Sequence, residues 1–225
     1  FSLLLLCCMN LVSAQRVESP TGTLALTFQL TPDGQPTYAV SYKNKPVVLS
    51  SALGVSLKDK TALVNHFEVT GTTTHAVNET WKPVLGEQAQ IVNHYNELIV
   101  ALVQKDSKVK LNLVFRAFDE GVAFRYDFPK QENLNYFIIS DEKTEFNLTE
   151  NNKVFWIPGD FDSNEYVYNE TKFSEIDNEK LNLNNGIGVK SIPGKYTVQT
   201  PLQMKSPSGL YLNIFEAAVV NYPVM

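Results

Sequence analysis

The chain has 225 residues, of which 44% are hydrophobic and 19% are charged, and its formal net charge is −5 at pH 7. This length is enough to bury a sizeable hydrophobic core. The acidic balance and the lack of any basic cluster in the sequence argue against nucleic acid or an anionic membrane surface as a partner.

The chain opens with an apolar run that ends in small residues, the last of them Ala14. Small residues are typical of a signal-peptidase cleavage site, and the run is too short to span a bilayer. We therefore expect residues 1–14 to be part of a signal peptide, Gln15 to be the mature N-terminus, and the protein to be secreted into a bacterial periplasm. Both cysteines, Cys7 and Cys8, lie in this run, so we expect no disulfide or thiolate site in the mature chain.

Alternating apolar and polar residues predict a series of short β-strands. The clearest lies at residues 109–117, where every second residue is apolar, and residues 24–30 show the same pattern. Turn-forming residues separate the predicted strands. The others lie at residues 38–42, 47–49, 53–57, 67–71, 97–104, 122–128, 136–140, 153–157, 196–199, 202–205 and 210–215.

No segment has a sustained helical period of about 3.6 residues. About a dozen strands separated by turns favour an all-β, antiparallel sandwich. The sequence contains no linker or internal repeat, so we expect residues 15–225 to form one domain, with a polar, irregular excursion at residues 172–191. Residues 211–225 are largely apolar and lack a polar tail. Since termini are usually exposed and polar, we expect the protein to continue beyond residue 225.

The richest candidate site is the segment 155–168 (FWIPGDFDSNEYVY), which follows a predicted strand end. Four carboxylate or amide side chains lie within six residues, and aromatic residues flank them: Asp160, Asp162, Asn164 and Glu165, with Phe161, Tyr166 and Tyr168. Oxygen ligands beside aromatic rings suit a hard cation or a sugar. The alternative is a surface turn, in which Asp, Asn and Gly are favoured for backbone reasons.

The spacing of these side chains excludes an EF-hand. A calcium loop of that type opening at Asp160 needs glycine at its sixth position and glutamate at its twelfth. The sixth residue is Glu165, the twelfth is Thr171, and no amphipathic helices flank them. A calcium site that uses one or two of these carboxylates and is completed from elsewhere stays open.

The remaining polar residues offer no conventional catalytic pattern. The histidines, His66, His75 and His94, are too scattered in sequence for metal-ligand spacing. One functional hypothesis for such a fold is a stand-alone carbohydrate-binding or mutarotase-like sandwich. For its acid and base, mutarotase-like catalysis could draw only on His94 and Glu97. Glu216 follows an apolar strand, so it is expected at the sheet rim or in a polar site.

Several segments in register resemble glycoside hydrolase family 97. The most specific is 156–166 (WIPGDFDSNEY). The others are 79–84 (ETWKPV), 93–98 (NHYNEL), 121–129 (GVAFRYDFP), 134–137 (LNYF), 198–200 (VQT) and 209–214 (GLYLNI). Together they cover nearly all of the expected mature chain.

The resemblance implies a three-part protein: an N-terminal β-super-sandwich of galactose-mutarotase-like type, a catalytic (β/α)₈ barrel and a small C-terminal β domain. This chain matches only the first part. The family resembles exo-acting, calcium-dependent α-glycosidases, with α-glucosidases that invert and α-galactosidases that retain configuration. The resemblance therefore implies Ca²⁺, an oligosaccharide substrate (an α-glucoside or α-galactoside) and this protein's own catalytic barrel as partners. The catalytic carboxylates would lie in that barrel.

By its match to the family motif, Glu165 is the calcium ligand that this domain would supply, and Glu216 is a weaker candidate for substrate binding. A lone sandwich should bind calcium weakly, since the ion takes about six to eight oxygens. The chain departs from the family at Phe215, where a histidine is expected, and at Leu85, where a tryptophan is common. These departures leave the metal assignment standing and weaken any transfer of specificity.

Overall fold

The computed structural model describes residues 14–181, 191–220 and 222. In these residues the strands are paired antiparallel, and the only helical elements are short 3₁₀ turns. The predicted all-β, antiparallel fold class is confirmed. Contacts divide the chain into two compact units, Phe1–Thr149 and Glu150–Met225.

Some predictions fall on parts of the chain that are not described. Of the predicted signal peptide only Ala14 is described, and of the predicted polar excursion only residues 172–181 and 191 are. Within the described ranges, no helix is long and apolar enough to cross a membrane.

The first unit contains two four-stranded sheets and a two-stranded pair, with strand orders β1-β2-β3-β4, β6-β7-β8-β9 and β10-β5. Its strands are β1 (Gln15–Glu18), β2 (Leu24–Leu30), β3 (Pro36–Tyr42), β4 (Lys45–Ala52), β5 (Val55–Leu57), β6 (Phe67–Trp81), β7 (Ile91–Gln104), β8 (Lys110–Ala117), β9 (Val122–Asp127) and β10 (Ile139–Glu142). A 3₁₀ turn, Glu132–Leu134, lies between β9 and β10.

The core of the first unit lies between its two four-stranded sheets. Alternate residues of β2 and β8 turn inward, so that Phe28 and Phe115 are fully buried and their ring centroids lie 5.8 Å apart. The buried cluster also takes side chains from β3 and β7, including Tyr38 and Leu98. This unit is therefore a sandwich. The apolar residues whose alternation predicted the strands are the ones that face its core.

The hairpin of β6 and β7 is much longer than the sequence suggested. The predicted strand at 67–71 continues without a break to Trp81, and β7 begins at Ile91 rather than at residue 97. Strand β6 lies at the sheet edge and is exposed along nearly all of its length. A strand without a buried face shows no apolar alternation, and this explains why its extent was missed.

The second unit is a four-stranded sheet with the order β12-β11-β13-β14. Its strands are β11 (Lys153–Trp156), β12 (Asn169–Lys172), β13 (Leu202–Lys205) and β14 (Tyr211–Ile214), and its 3₁₀ turns are Phe173–Glu175 and Asn178–Lys180. Val154, Trp156 and Met204 are buried, and the indole N–H of Trp156 donates to Thr171 Oγ1 at 3.0 Å.

In the second unit one strand was missed and one predicted strand was wrong. Strand β12 was missed, because its exposed, polar residues carry no apolar period. Residues 196–199 form no strand, and Val198 makes only an isolated bridge with Pro158. That bridge still brings the segment against the candidate site.

We predict that Phe115→Ala destabilises the protein by about 3–5 kcal/mol, because it removes a fully buried ring from the centre of the sandwich. Urea unfolding followed by circular dichroism measures the loss. The matched control is Phe161→Ala, whose ring is 81% exposed and should cost less than about 0.5 kcal/mol. Equal losses in the two variants would contradict the assignment of the core.

Candidate functional site

The candidate site begins where β11 ends. After the buried Trp156 the chain runs through Gly159, whose N–H donates to the carbonyl of Thr197 at 3.0 Å. A Cβ added at Gly159 would lie 2.9 Å from Thr197 Cβ and 3.1 Å from Val198 N. Glycine is therefore needed here for close backbone approach, and it fixes where the polar segment starts.

The carboxylate of Asp160 closes the polar turn. Its Oδ1 accepts hydrogen bonds from the backbone N–H groups of Asp162 at 2.8 Å and Ser163 at 3.3 Å. The backbone N–H of Ser191 lies 3.2 Å from both carboxylate oxygens, and the Tyr166 hydroxyl donates to Oδ2. One side chain thus joins the start of the turn, its end and a distant segment.

These hydrogen bonds set the ionisation states of Asp160 and Tyr166. Partial burial raises the pKa of Asp160, but the hydrogen bonds from Tyr166 and the three backbone N–H groups outweigh it and hold that pKa below its ordinary value. Burial, together with the bond to the Asp160 carboxylate, raises the pKa of Tyr166 to about 12. At neutral pH Asp160 is an anion and Tyr166 is a neutral donor.

A second set of contacts pins the turn to neighbouring residues. The Ser191 hydroxyl donates to Asp162 Oδ2, and the N–H of Phe161 donates to the Ser191 carbonyl at 3.2 Å. The side-chain amide of Gln199 donates to the Ser163 carbonyl at 2.7 Å. The backbone of the segment is therefore held on two sides.

Glu165 differs from the aspartates around it. Its backbone N–H is held by Ser163 Oγ at 3.1 Å, but its side chain is exposed. Among the described residues its carboxylate has no hydrogen-bond or ion-pair partner. An exposed carboxylate on a fixed backbone suits a hard cation such as calcium, so the residue fits the ligand role that the resemblance implies.

One carboxylate does not make a calcium site. The described ranges contain no group of three or more His, Cys, Asp or Glu side chains that could hold a metal ion. Calcium takes about six to eight oxygen ligands, of which Glu165 can supply one or two. If Glu165 is a calcium ligand, as the resemblance implies, the other ligands would have to come from elsewhere.

The aromatic residues of the segment have different roles. Tyr166 is only 8% exposed and serves the turn through its hydroxyl. Phe161 and Tyr168 are 81% and 62% exposed. Only these two rings could stack on a ligand.

Glu216 lies just after β14 and is half-buried. It accepts a hydrogen bond from the hydroxyl of Thr200, the residue that follows Gln199. It lines a shallow depression together with Pro201, Asn213 and Phe215. The structure therefore connects Glu216, through adjacent residues 199 and 200, with the turn that carries Glu165.

The structure does not bring His94 and Glu97 together. They are three positions apart in β7, so they point to opposite faces of the sheet. His94 is exposed, whereas Glu97 is buried and accepts a hydrogen bond from Arg116 Nε at 2.7 Å. The Arg116 guanidinium lies 4.5 Å from the ring centroid of Tyr95. The structure therefore does not assemble the acid–base pair on which a mutarotase-like alternative could have drawn, and Glu97 belongs to an ion pair with Arg116.

Residues 17–225 match the family model described as the glycosyl-hydrolase 97 N-terminal domain. The chain belongs to this family. A curated relative, the retaining α-galactosidase of Bacteroides thetaiotaomicron, is 24% identical over 97% of this chain and 33% of its own length. The chain thus spans about a third of the length of that relative.

Solved structures agree with the family assignment. A glycoside hydrolase family 97 enzyme from Pseudoalteromonas sp. strain K8, in complex with acarbose, matches with a TM-score of 0.80 and 31% identity, over 94% of this chain and 30% of that one. A variant of a family 97 enzyme from the same strain, in complex with panose, matches with a TM-score of 0.78 and 31% identity, over 94% of this chain and 30% of that one. A β-arabinopyranosidase with 20% identity and a TM-score of 0.70 shares the fold.

Sequence reasoning missed Ser191 and Gln199 as parts of the site. Gln199 lies in one of the segments that carried the family resemblance, so a signal for it existed. Ser191 is 31 residues from Asp160 in sequence, in a stretch without any motif. Only the folded structure reveals that contact.

The lowered pKa of Asp160 predicts a pH-dependent contribution to stability. Because the folded pKa lies below the unfolded value of about 3.9, the carboxylate stabilises the fold above that value, and this is lost as the pH falls through the folded pKa. Asp160→Asn should therefore lower the melting temperature at pH 7. The difference from wild type should shrink towards pH 3.

Thermal unfolding in the presence of a chelator, from pH 7 down to pH 3, measures this effect without any metal contribution. Asp162→Asn is the control, because its carboxylate receives no backbone N–H bond among the described residues. A melting difference for Asp160→Asn that stays constant or grows at low pH would contradict the assigned role of Asp160.

Proposed function

We propose that this chain is the N-terminal, non-catalytic domain of a calcium-dependent, exo-acting α-glycosidase that hydrolyses terminal α-glycosidic bonds. The observation that carries the proposal is Glu165, an exposed carboxylate without a partner in the described residues, on a backbone that is pinned on both sides. The catalytic barrel would follow residue 225, because this chain corresponds to about a third of its relative's length.

The substrate class is supported by the relatives. One is named a retaining α-galactosidase, and the solved enzyme is described in complex with panose and with acarbose, which are oligosaccharide ligands. We propose an α-glucosidase first and an α-galactosidase second. The barrel, which would hold the general acid and the base or nucleophile, would decide between them.

The contribution of this domain is to present one oxygen ligand. Gly159, Asp160 and Gln199 hold the backbone of the turn, so Glu165 meets the active site with little loss of backbone freedom. A bound calcium ion would supply Lewis-acid chemistry, polarising the substrate and supporting the departing group, and Glu165 would be one of the residues that hold it. Since the remaining ligands would come from the barrel, the ion would couple the two domains.

A second candidate is a stand-alone carbohydrate-binding sandwich. The exposed rings of Phe161 and Tyr168 beside polar side chains favour it. A measurement of oligosaccharide binding to residues 15–225 alone distinguishes this candidate from the hydrolase domain. Binding as tight as that of the complete protein would favour this candidate over the hydrolase domain.

We also propose that the protein is secreted, into the periplasm of a bacterium. The support is the apolar run at residues 1–14 and the start of the first described strand at Gln15. Mass spectrometry of the protein recovered from its source should give Gln15 as the first residue. A mature protein that keeps the apolar run would contradict the proposal.

The direct test of function is an assay of the complete protein on aryl α-glucosides and α-galactosides, with calcium and with a chelator. Hydrolysis that depends on calcium is expected for one of the two substrates. A protein that ends near residue 225, or a complete protein whose hydrolysis is unaffected by the chelator, would overturn the proposal.

We predict that Glu165→Gln in the complete protein lowers calcium affinity by about tenfold or more, because the ion loses a charged ligand. Activity at limiting calcium should fall by a similar factor. Isothermal titration with calcium measures the affinity, and thermal unfolding in chelator should be unchanged because the side chain has no partner to lose among the described residues.

The matched control is Glu170→Gln. Glu170 is an exposed glutamate on β12 that pairs with Lys153 at 2.5 Å. Loss of such a surface pair changes stability by less than about 1 kcal/mol and should leave calcium affinity unaltered. Equal calcium affinity in wild type and Glu165→Gln would remove Glu165 from the site.

A further inference from the structure

The turn that carries Glu165 contains more carboxylates than a single ligand role requires. Asp160, Asp162 and Glu165 lie within six residues, yet only Glu165 has a carboxylate without a partner in the described part of the chain. The different contacts of the three side chains separate their roles.

Asp160 has no spare capacity for a metal. An ionised carboxylate accepts about four hydrogen bonds. Asp160 meets four donors: the backbone N–H groups of Asp162, Ser163 and Ser191, and the hydroxyl of Tyr166. Coordination of calcium by Asp160 would break bonds that close the turn.

The same contacts fix the residues on either side of Glu165. On one side, Ser163 is tied to Asp160 through its N–H and holds the N–H of Glu165 through its hydroxyl. On the other side, the next residue, Tyr166, is buried and bonded to Asp160. None of these contacts involves the side chain of Glu165, which is exposed.

We propose that Asp160 is a positioning residue for Glu165: its carboxylate closes the 160–166 turn and so directs the Glu165 carboxylate to the calcium. This rests on the proposed function of Glu165 as a calcium ligand. Ligand-holding partners of this kind typically change metal affinity by about 10–100-fold when they are removed.

The decisive comparison is Asp160→Ala against Asp162→Ala in the complete protein, titrated with calcium alone by isothermal titration calorimetry. Both variants lose one negative charge within a few residues of Glu165. Asp160→Ala should weaken calcium binding about tenfold, because four bonds that hold the turn are lost. Asp162→Ala, which loses only the bond from the Ser191 hydroxyl, should weaken it less than about threefold.

A second variant covers the case in which Asp160→Ala does not fold. Tyr166→Phe keeps the buried ring and removes only the hydroxyl that donates to Asp160, so it should weaken calcium binding about threefold. Excess calcium supplies a further readout. It should restore the kcat of Asp160→Ala, since the ligand is still present, whereas Glu165→Gln should stay impaired.

The outcomes separate this inference from the proposed function. If Glu165→Gln weakens calcium binding but Asp160→Ala does not, Asp160 is not a positioning residue and the function stands. Equal weakening in Asp160→Ala and Asp162→Ala would mean that local charge alone matters, and it would also overturn the inference. If Glu165→Gln has no effect, the proposed function itself falls.

Discussion

The candidate site depends on the Asp160 carboxylate. It accepts hydrogen bonds from the backbone N–H of Asp162 within the turn, from the backbone N–H of Ser191 in a distant segment, and from the hydroxyl of Tyr166. Without this anion the turn would have several backbone donors without an acceptor, and the buried tyrosine would lose its partner. This closure leaves the Glu165 carboxylate exposed on a held backbone, and our proposal that the domain supplies one calcium ligand rests on that arrangement.

The fold class could be predicted from sequence because most strands bury one face. In β2 and β8 the inward side chains, such as Phe28 and Phe115, alternate with polar residues, and the period is visible without a structure. Strands without a buried face give no such signal, and this is why β12 and most of β6 were not found. Residues 196–199 looked like a strand, but Gln199 uses its side chain to hold the neighbouring turn.

The site could be predicted only in part. Glu165 was predicted to be a calcium ligand from the family resemblance; its side chain is exposed, and the assignment stays a prediction. Composition could not distinguish it from Asp160, since both are carboxylates in a polar turn. The distinction lies in the hydrogen bonds that Asp160 accepts, and one of their donors, the N–H of Ser191, lies far along the chain, where no local pattern reports it. The histidine–glutamate pair failed for a simpler reason, because residues three apart in a strand face opposite ways.

The most direct measurement is a crystal structure of the complete protein with calcium bound. We expect a carboxylate oxygen of Glu165 about 2.3–2.6 Å from the ion, with the remaining ligands supplied by residues beyond 225. Asp160 should stay bonded to the backbone of its own turn. A calcium ion coordinated entirely by residues outside this chain, or one bound through Asp160 instead of Glu165, would contradict the role we give to this domain.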